Sequence, residues 1–303
     1  MKKFYFSYLS SNGITTINAV KWLPETAPRG IVQIAHGVTE YIERYDNLAS
    51  ILTSHGYIVV GNDHLGHGRN ITNGQKMYMG PIGSWNYAVY DLKQCTDLIQ
   101  KEYPNLPIYL LGFSLGSFLV RNYLSDYNPR IYKVILIGTG YQPNWLISLI
   151  KPIVKSEIKK YGPANPSKKV NDLSFGTYNK KIKNPKTPYD WLSSSDISIK
   201  SYIEDPMINK ELTTSLFLEM LNGIAYTSSN KCINKMNKSI PIILLSGQDD
   251  PVGDMAKGVT KYFNILKKKG FKTAITLFPK MRHDILHEEH SEKVYETILS
   301  YLK

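Results

Sequence analysis

Ile108-Tyr-Leu-Leu-Gly112-Phe-Ser114-Leu-Gly116-Ser117 is the stretch whose reading decides the fold. Ile108 to Leu111 has the short apolar run of a buried strand, and from about Leu115 the residues Phe118, Leu119, Tyr123 and Leu124 recur at the spacing of an amphipathic helix. Between them lies Gly112-Phe-Ser114-Leu-Gly116, a Gly-x-Ser-x-Gly. A serine between strand and helix sits on a strained bend that lifts its Oγ out of the sheet. Glycine two positions to either side avoids a collision with the neighbouring strand and helix. A helix beginning just after the serine offers free N–H groups to a developing oxyanion. Five residues of small types also recur by chance, and the plainer reading is a glycine-rich turn with an idle serine. The flanking strand and helix patterns favour the chemical reading.

The same alternation extends outward. Residues 4–9 and 15–23 pattern as two strands joined at Ser10-Ser-Asn-Gly13, a hairpin signal. Ile31 to Ala35 is a strand ending in His36-Gly37. Tyr45 to His55 is helical and stops at Gly56, and Tyr57 to Val60 is a strand followed by the polar loop Asn62 to Gly68. Trp85 to Tyr103 is a long helix, and Lys133 to Ile137 a further strand. Short buried strands alternating with helices imply an α/β chain with a mostly parallel sheet covered on both faces. From Tyr141 to about Lys238 the alternation stops and prolines dominate. It resumes with Ile240 to Leu245 (strand), Val252 to Lys269 (helix), Phe271 to Phe278 (strand) and His290 to Leu302 (helix). Residues 1–140 and 239–303 therefore form one core, and 141–238 an insertion between two of its strands.

Composition sets further bounds. A chain of 303 residues with 42% hydrophobic content and 22 tyrosines can bury a full core. Cys95 and Cys232 match no metal or redox spacing and read as free thiols of a reducing compartment. Met1-Lys2-Lys3 precedes an apolar run too short for a signal peptide, and no stretch approaches a membrane span, so a cytoplasmic location is expected. The net charge of +12 comes mainly from lysine, without an arginine stripe or nucleic-acid motif. No nucleic-acid partner is expected, and peripheral attraction to anionic lipid is. His64-x-x-His67 lacks a third ligand at a sensible spacing, and no Gly-x-Gly-x-x-Gly follows the first strand, so neither metal nor cofactor is expected.

A serine nucleophile needs a base and an orienting acid, here sought downstream in the order Ser, Asp, His. Gly247-Gln-Asp249-Asp250-Pro follows one late strand, and Arg282-His283 follows the next. Each fragment alone is ordinary. All three in order, each after a strand, form a pattern.

With these residues the sequence resembles the α/β-hydrolases of the monoacylglycerol lipase and lysophospholipase type, grouped by sequence with serine aminopeptidase-like hydrolases. The similarity rests on His36-Gly-Val38-Thr-Glu40 with Arg44-Tyr45, on Asp63-His-Leu-Gly66-His67-Gly68, on the Gly-x-Ser-x-Gly, and on Gly247-x-x-Asp250-Pro with Arg282-His283. It covers residues 1–140 and 239–303, and matches 141–238 in size and position only, as that family's helical cap. The resemblance implies the α/β-hydrolase fold, with Ser114 as nucleophile, His283 as general base and Asp250 as acid. Asp249 is the rival, disfavoured by the family's spacing. It also implies oxyanion donors at the backbone N–H groups of Val38 and Leu115, and a monoacyl lipid ester as substrate.

His36, Glu40 and Arg44 are expected to brace their loop, His64 and His67 to lie near the mouth, and His55, His287 and His290 at the surface. Trp145, Ile147 and Ile150, in the most apolar stretch of the insertion, are candidate substrate-binding residues. Lys155, Lys159 and Lys160 follow them. An aminopeptidase is the nearest enzymatic rival, but it would need acids in the cap to hold an amine, and residues 141–238 carry 15 lysines against 8 acids. Acyl transfer to an alcohol is a further enzymatic rival, and a non-catalytic binding member of the fold is the rival from outside catalysis.

Overall fold

The computed structural model describes residues 1–71 and 74–303. The strands are β1 (Lys2–Leu9), β2 (Thr16–Leu23), β3 (Gly30–Ala35), β4 (Tyr57–Asn62), β5 (Ile108–Phe113), β6 (Lys133–Ile137), β7 (Ile242–Gly247) and β8 (Thr273–Phe278). They form one sheet in the order β1-β2-β4-β3-β5-β6-β7-β8. β1 and β2 pair as an antiparallel hairpin, β2 joins β4 antiparallel, and every later neighbour is parallel. This is the α/β-hydrolase arrangement.

The strand period of two divides the core. Ile108, Leu110, Val134, Leu136, Ile242 and Leu244 face one apolar cluster. Their neighbours Tyr109, Leu111, Ile135, Ile137, Ile243 and Leu245 face the other. The first is covered by α2 (Trp85–Glu102), α3 (Leu115–Tyr127) and α9 (Lys257–Lys268), the second by α1 (Asp46–Ser54) and α10 (Glu292–Leu302).

Two elements differ from the sequence reading. The helix expected from Val252 begins only at Lys257, because Asp254, Met255 and Ala256 all take left-handed φ values that a right-handed helix cannot include. Nor does α3 have the polar face of an amphipathic helix. Leu115 through Ser125 are all buried, since α2 and the helices of the insertion pack around it.

Residues 138–241 run between β6 and β7, which are neighbours in the sheet. This segment holds α4 (Asn144–Tyr161), α5 (Lys168–Ser174), α6 (Asp196–Glu204), α7 (Thr214–Thr227) and α8 (Asn230–Lys235). Four of these helices start on a hydroxyl that accepts a backbone N–H three residues on: Ser167, Ser195, Thr213 and Ser229. That is a local start signal independent of periodicity. Arg121 of α3 ties the start of the segment and the end of α7 to the core. It donates to the Gly140 carbonyl at 2.8 Å and the Thr227 carbonyl at 2.7 Å. No helix among the described residues is long and apolar enough to cross a membrane.

Candidate active site

Ser114 leaves β5 with φ 48° and ψ −115°, a conformation rare for any residue with a side chain. The bend is enforced from both sides. A Cβ on Gly112 would stand 2.7 Å from the Gly116 carbonyl oxygen, and one on Gly116 only 2.0 Å from that of Ala35. The Ser114 amide donates to Ile137 of β6 at 2.9 Å, and its carbonyl accepts from the Ser117 amide and hydroxyl. The serine is thereby fixed at the carboxyl end of the central strands, where open α/β sheets gather ligands.

His283 lies on the loop after β8. Its Nε2 is 2.9 Å from Ser114 Oγ, and its Nδ1 is 3.0 Å from Asp250 Oδ2. With Nδ1–H donating to the carboxylate, Nε2 is left as acceptor for the serine proton. Asp250 is fully buried in the turn after β7, and its other oxygen accepts the Val252 amide at 2.8 Å. Asp249 is half-buried and is not part of this chain of contacts; its amide is bonded to the Met281 carbonyl. Burial works against the His283 cation, but the charge and hydrogen bond of Asp250 outweigh it, and the pKa is raised above 6.5.

The loop carrying His283 is anchored by Arg282, which the sequence motif includes, and by residues that no motif singles out. Glu288 accepts from the Arg282 amide and from Ser193 and Ser194 of the insertion. The Arg282 guanidinium donates to the carbonyls of Asp190 and Ser193, and the Asp284 amide donates to the Leu192 carbonyl at 2.7 Å. Phe113 and Trp191 flank the imidazole, with ring centres 5.1 and 5.5 Å away. These contacts join residues remote in sequence, so consecutive residues carry no mark of them.

The loop after β3 faces the serine. His36 is wholly buried; its Nε2 accepts the His64 amide at 2.9 Å and its Nδ1 lies 2.7 Å from the Gly37 carbonyl. Glu40 accepts the Gly37 amide at 2.5 Å, the Tyr45 hydroxyl at 2.8 Å and the Arg44 guanidinium at 2.6 Å. His36, Glu40 and Arg44 do brace the loop. His64 and His67 do not lie at a mouth. They are buried against His36, with His64 only 3.9 Å away ring to ring, and burial holds them neutral, lowered to about 3 and about 4. His287 is not a surface residue either. It is half-buried between the Asp284 carboxylate and the Arg44 carbonyl. His55 and His290 are exposed.

Among the described residues, neither the Val38 nor the Leu115 amide is paired with a protein acceptor; Leu115 opens α3 directly after Ser114, and Val38 lies on the loop after β3. On α4, Ile147 is buried in the core cluster and Ile150 half-buried, while Trp145 is 67% exposed. Lys155, Lys159 and Lys160 are exposed further along the helix. Among the described residues no group of three or more His, Cys, Asp or Glu side chains is arranged to hold a metal ion.

This geometry can be set beside known proteins. Residues 26–290 match the family model described as serine aminopeptidase, S33. The chain is 28% identical over 274 residues to the monoglyceride lipase homolog of Monkeypox virus, covering 89% of this chain and 87% of that one. It is 25% identical over 272 residues to human monoglyceride lipase, covering 89% and 80%. A crystal structure of a thermostable carboxyl esterase from Bacillus coagulans superposes with a TM-score of 0.91 at 28% identity, covering 100% of this chain and 98% of that one.

Proposed function

We propose, from the premise that this chain belongs to the serine aminopeptidase, S33 family, that it is a serine hydrolase cleaving carboxylic esters of monoacyl lipids. The observation that carries the reading is the continuous relay from Ser114 Oγ to His283 at 2.9 Å and on to Asp250 at 3.0 Å. Ser114 Oγ attacks the acyl carbonyl as His283 Nε2 takes its proton, and Asp250 holds the tautomer and stabilises the cation. The amides of Val38 and Leu115 receive the tetrahedral oxyanion. His283 then returns the proton to the leaving alcohol, and water, deprotonated by the same imidazole, releases the acid from the acyl-enzyme. None of these steps draws on a cofactor. The monoglyceride lipase and esterase relatives support an ester over a peptide, as does the excess of lysine in residues 141–238.

In this reading residues 141–238 form a cap over Ser114 whose inner side holds the acyl chain. We further place the protein in the cytoplasm, with peripheral contact to anionic membrane through α4. Trp145 and Leu149, one helical turn apart, are 67% and 63% exposed, and Lys155, Lys159 and Lys160 follow them. An apolar strip edged with lysine suits a lipid surface. Buried, unpaired Cys95 and Cys232 accord with a reducing compartment.

The test is fluorophosphonate labelling followed by hydrolysis of monoacyl esters of graded chain length. A covalent adduct on Ser114 and a preference for longer acyl chains are expected. A chain that neither labels nor hydrolyses these esters would be a binding member of the fold, and the proposal would fall.

A further inference from the structure

The loop bearing the Val38 amide contains a conformation that its own sequence disfavours. Thr39 has φ 69°, in the left-handed region, where a β-branched residue is an outlier. Such a residue persists only where its surroundings hold it. Here the holding group comes from a residue 163 positions away in the chain. The Thr39 hydroxyl donates to the Val38 carbonyl at 2.5 Å and lies 2.7 Å from the hydroxyl of Tyr202, on α6. The Thr39 hydroxyl has one proton, already given to Val38, so Tyr202 must be the donor to it. Burial raises the Tyr202 pKa further, keeping that proton in place.

Tyr202 is itself fixed. It is buried, the Arg44 guanidinium lies 5.5 Å over its ring, Tyr189 packs on it at 5.4 Å, and Tyr41 bonds Asp205 one turn along at 2.8 Å. The Val38 N–H is thus flanked by two anchors. Glu40 holds the Gly37 amide from the core, and Tyr202 holds the Val38 carbonyl, through Thr39, from the insertion.

We propose that Tyr202 is a positioning residue for the oxyanion hole: its hydroxyl, acting through Thr39, aligns the Val38 amide, so the donor is in place only when α6 is seated on the loop. This rests on the hydrolase reading above and on Val38 as an oxyanion donor. Tyr202 touches none of the reacting atoms in this role. The consequence is that the seating of α6 and the electrostatic power of the site are coupled. With α6 lifted, the strained Thr39 relaxes and the amide turns away.

The test is a double-mutant cycle between Tyr202→Phe and Thr39→Gly, read in kcat, KM and melting temperature. Glycine adopts φ 69° without strain, so the loop of Thr39→Gly needs no holding group. Tyr202→Phe alone should lower kcat about tenfold, below the ~10²–10³ typical of a deleted oxyanion donor, with KM within about twofold. In the Thr39→Gly background the same change should leave kcat within about twofold, because the transition-state contribution it removes has already been uncoupled. Wild-type kcat in Tyr202→Phe, or an equal loss in both backgrounds, would overturn the proposal. So would a loss confined to KM, which would make Tyr202 a substrate contact instead. If the wild-type chain neither labels nor hydrolyses esters, it is the hydrolase reading that fails. The melting cycle still decides the latch: Tyr202→Phe must lower the melting temperature more with Thr39 than with Thr39→Gly, and equal losses refute it.

Discussion

Two turns leave the carboxyl end of the sheet toward the same point, and they are held by opposite means. The turn after β5 puts Ser114 at φ 48° chiefly through backbone packing: Gly112 and Gly116 let strand and helix approach until no Cβ would fit. The turn after β3 puts Thr39 at φ 69° through side chains: Glu40, Arg44 and Tyr45 from within the loop, the His64 imidazole at the His36 carbonyl from the next one, and Tyr202 from the insertion. The first arrangement is local and rigid. The second is assembled from residues up to 163 positions apart, and is only as well placed as its partners. On the proposed reading, such a site would have a nucleophile that is always poised and an oxyanion donor that depends on the rest of the molecule.

The largest expected effect lies on the rigid side. Ser114→Ala should remove ester hydrolysis by about 10⁴-fold or more while leaving the melting temperature nearly unchanged, since it deletes one hydroxyl and opens little cavity. Hydrolysis by the purified variant at a comparable rate would break the comparison at its root. Asp250→Asn follows, with a loss on the order of 10³–10⁴ through the wrong imidazole tautomer, against less than about threefold for Asp249→Asn. The pH profile sharpens this pair. His283 acts as base only when neutral, so activity should fall about tenfold per unit as pH drops below its pKa. The Asp250 carboxylate raises that pKa above 6.5, placing the acid limb of the wild type above 6.5. In the residual activity of Asp250→Asn the limb should move to lower pH; a limb that stays put would show that another group sets it.

Next come the glycines. An added Cβ at Gly116 meets the Ala35 carbonyl at 2.0 Å, backbone that cannot yield, whereas at Gly37 it meets side-chain atoms of Glu40 and Phe113 at 2.9 and 3.0 Å. Gly116→Ala should therefore destabilise by roughly 3 kcal/mol or prevent folding, and Gly37→Ala by about 1 kcal/mol. Equal losses in denaturant titrations would mean that the two turns are held alike.

The assembled loop should also be the more sensitive to acid. Unfolded imidazoles take up protons near 6.5, while buried His67 and His64 resist until about 4 and about 3. The unfolded state binds more protons throughout that window, so stability should fall as pH decreases from about 6.5 toward 4. His67→Gln should flatten the dependence of melting temperature on pH; an unchanged slope would assign it to other groups. The smallest effect belongs to α4. Trp145→Ser with Leu149→Ser should weaken co-sedimentation with anionic vesicles a few-fold at low salt and leave hydrolysis of a short water-soluble ester intact. Because the lysines act through screened charge, added salt should weaken binding by either protein. Unchanged sedimentation would remove α4 from the contact.

What the sequence determined by itself is whatever near neighbours decide. The apolar runs Ile108 to Leu111, Lys133 to Ile137 and Ile242 to Leu245 specified buried strands, and Gly112 and Gly116 specified the bend at Ser114. The order of serine, aspartate and histidine, each after a strand, pointed to the residues that the fold brings together. Hydroxyls at Ser167, Ser195, Thr213 and Ser229 are equally local and mark four helices in a stretch where strand–helix alternation is absent. Tertiary structure alone decided the rest: that α3 is buried all round, that His64, His67 and His287 turn inward, and that Val252 to Ala256 coil before α9 begins. It also decided that Tyr202 reaches Thr39. Backbone periodicity and capping are set within a turn of chain, so they leave a trace in consecutive residues. A hydrogen bond across 163 residues is selected by the packing of whole elements, and neither partner's neighbours carry its mark.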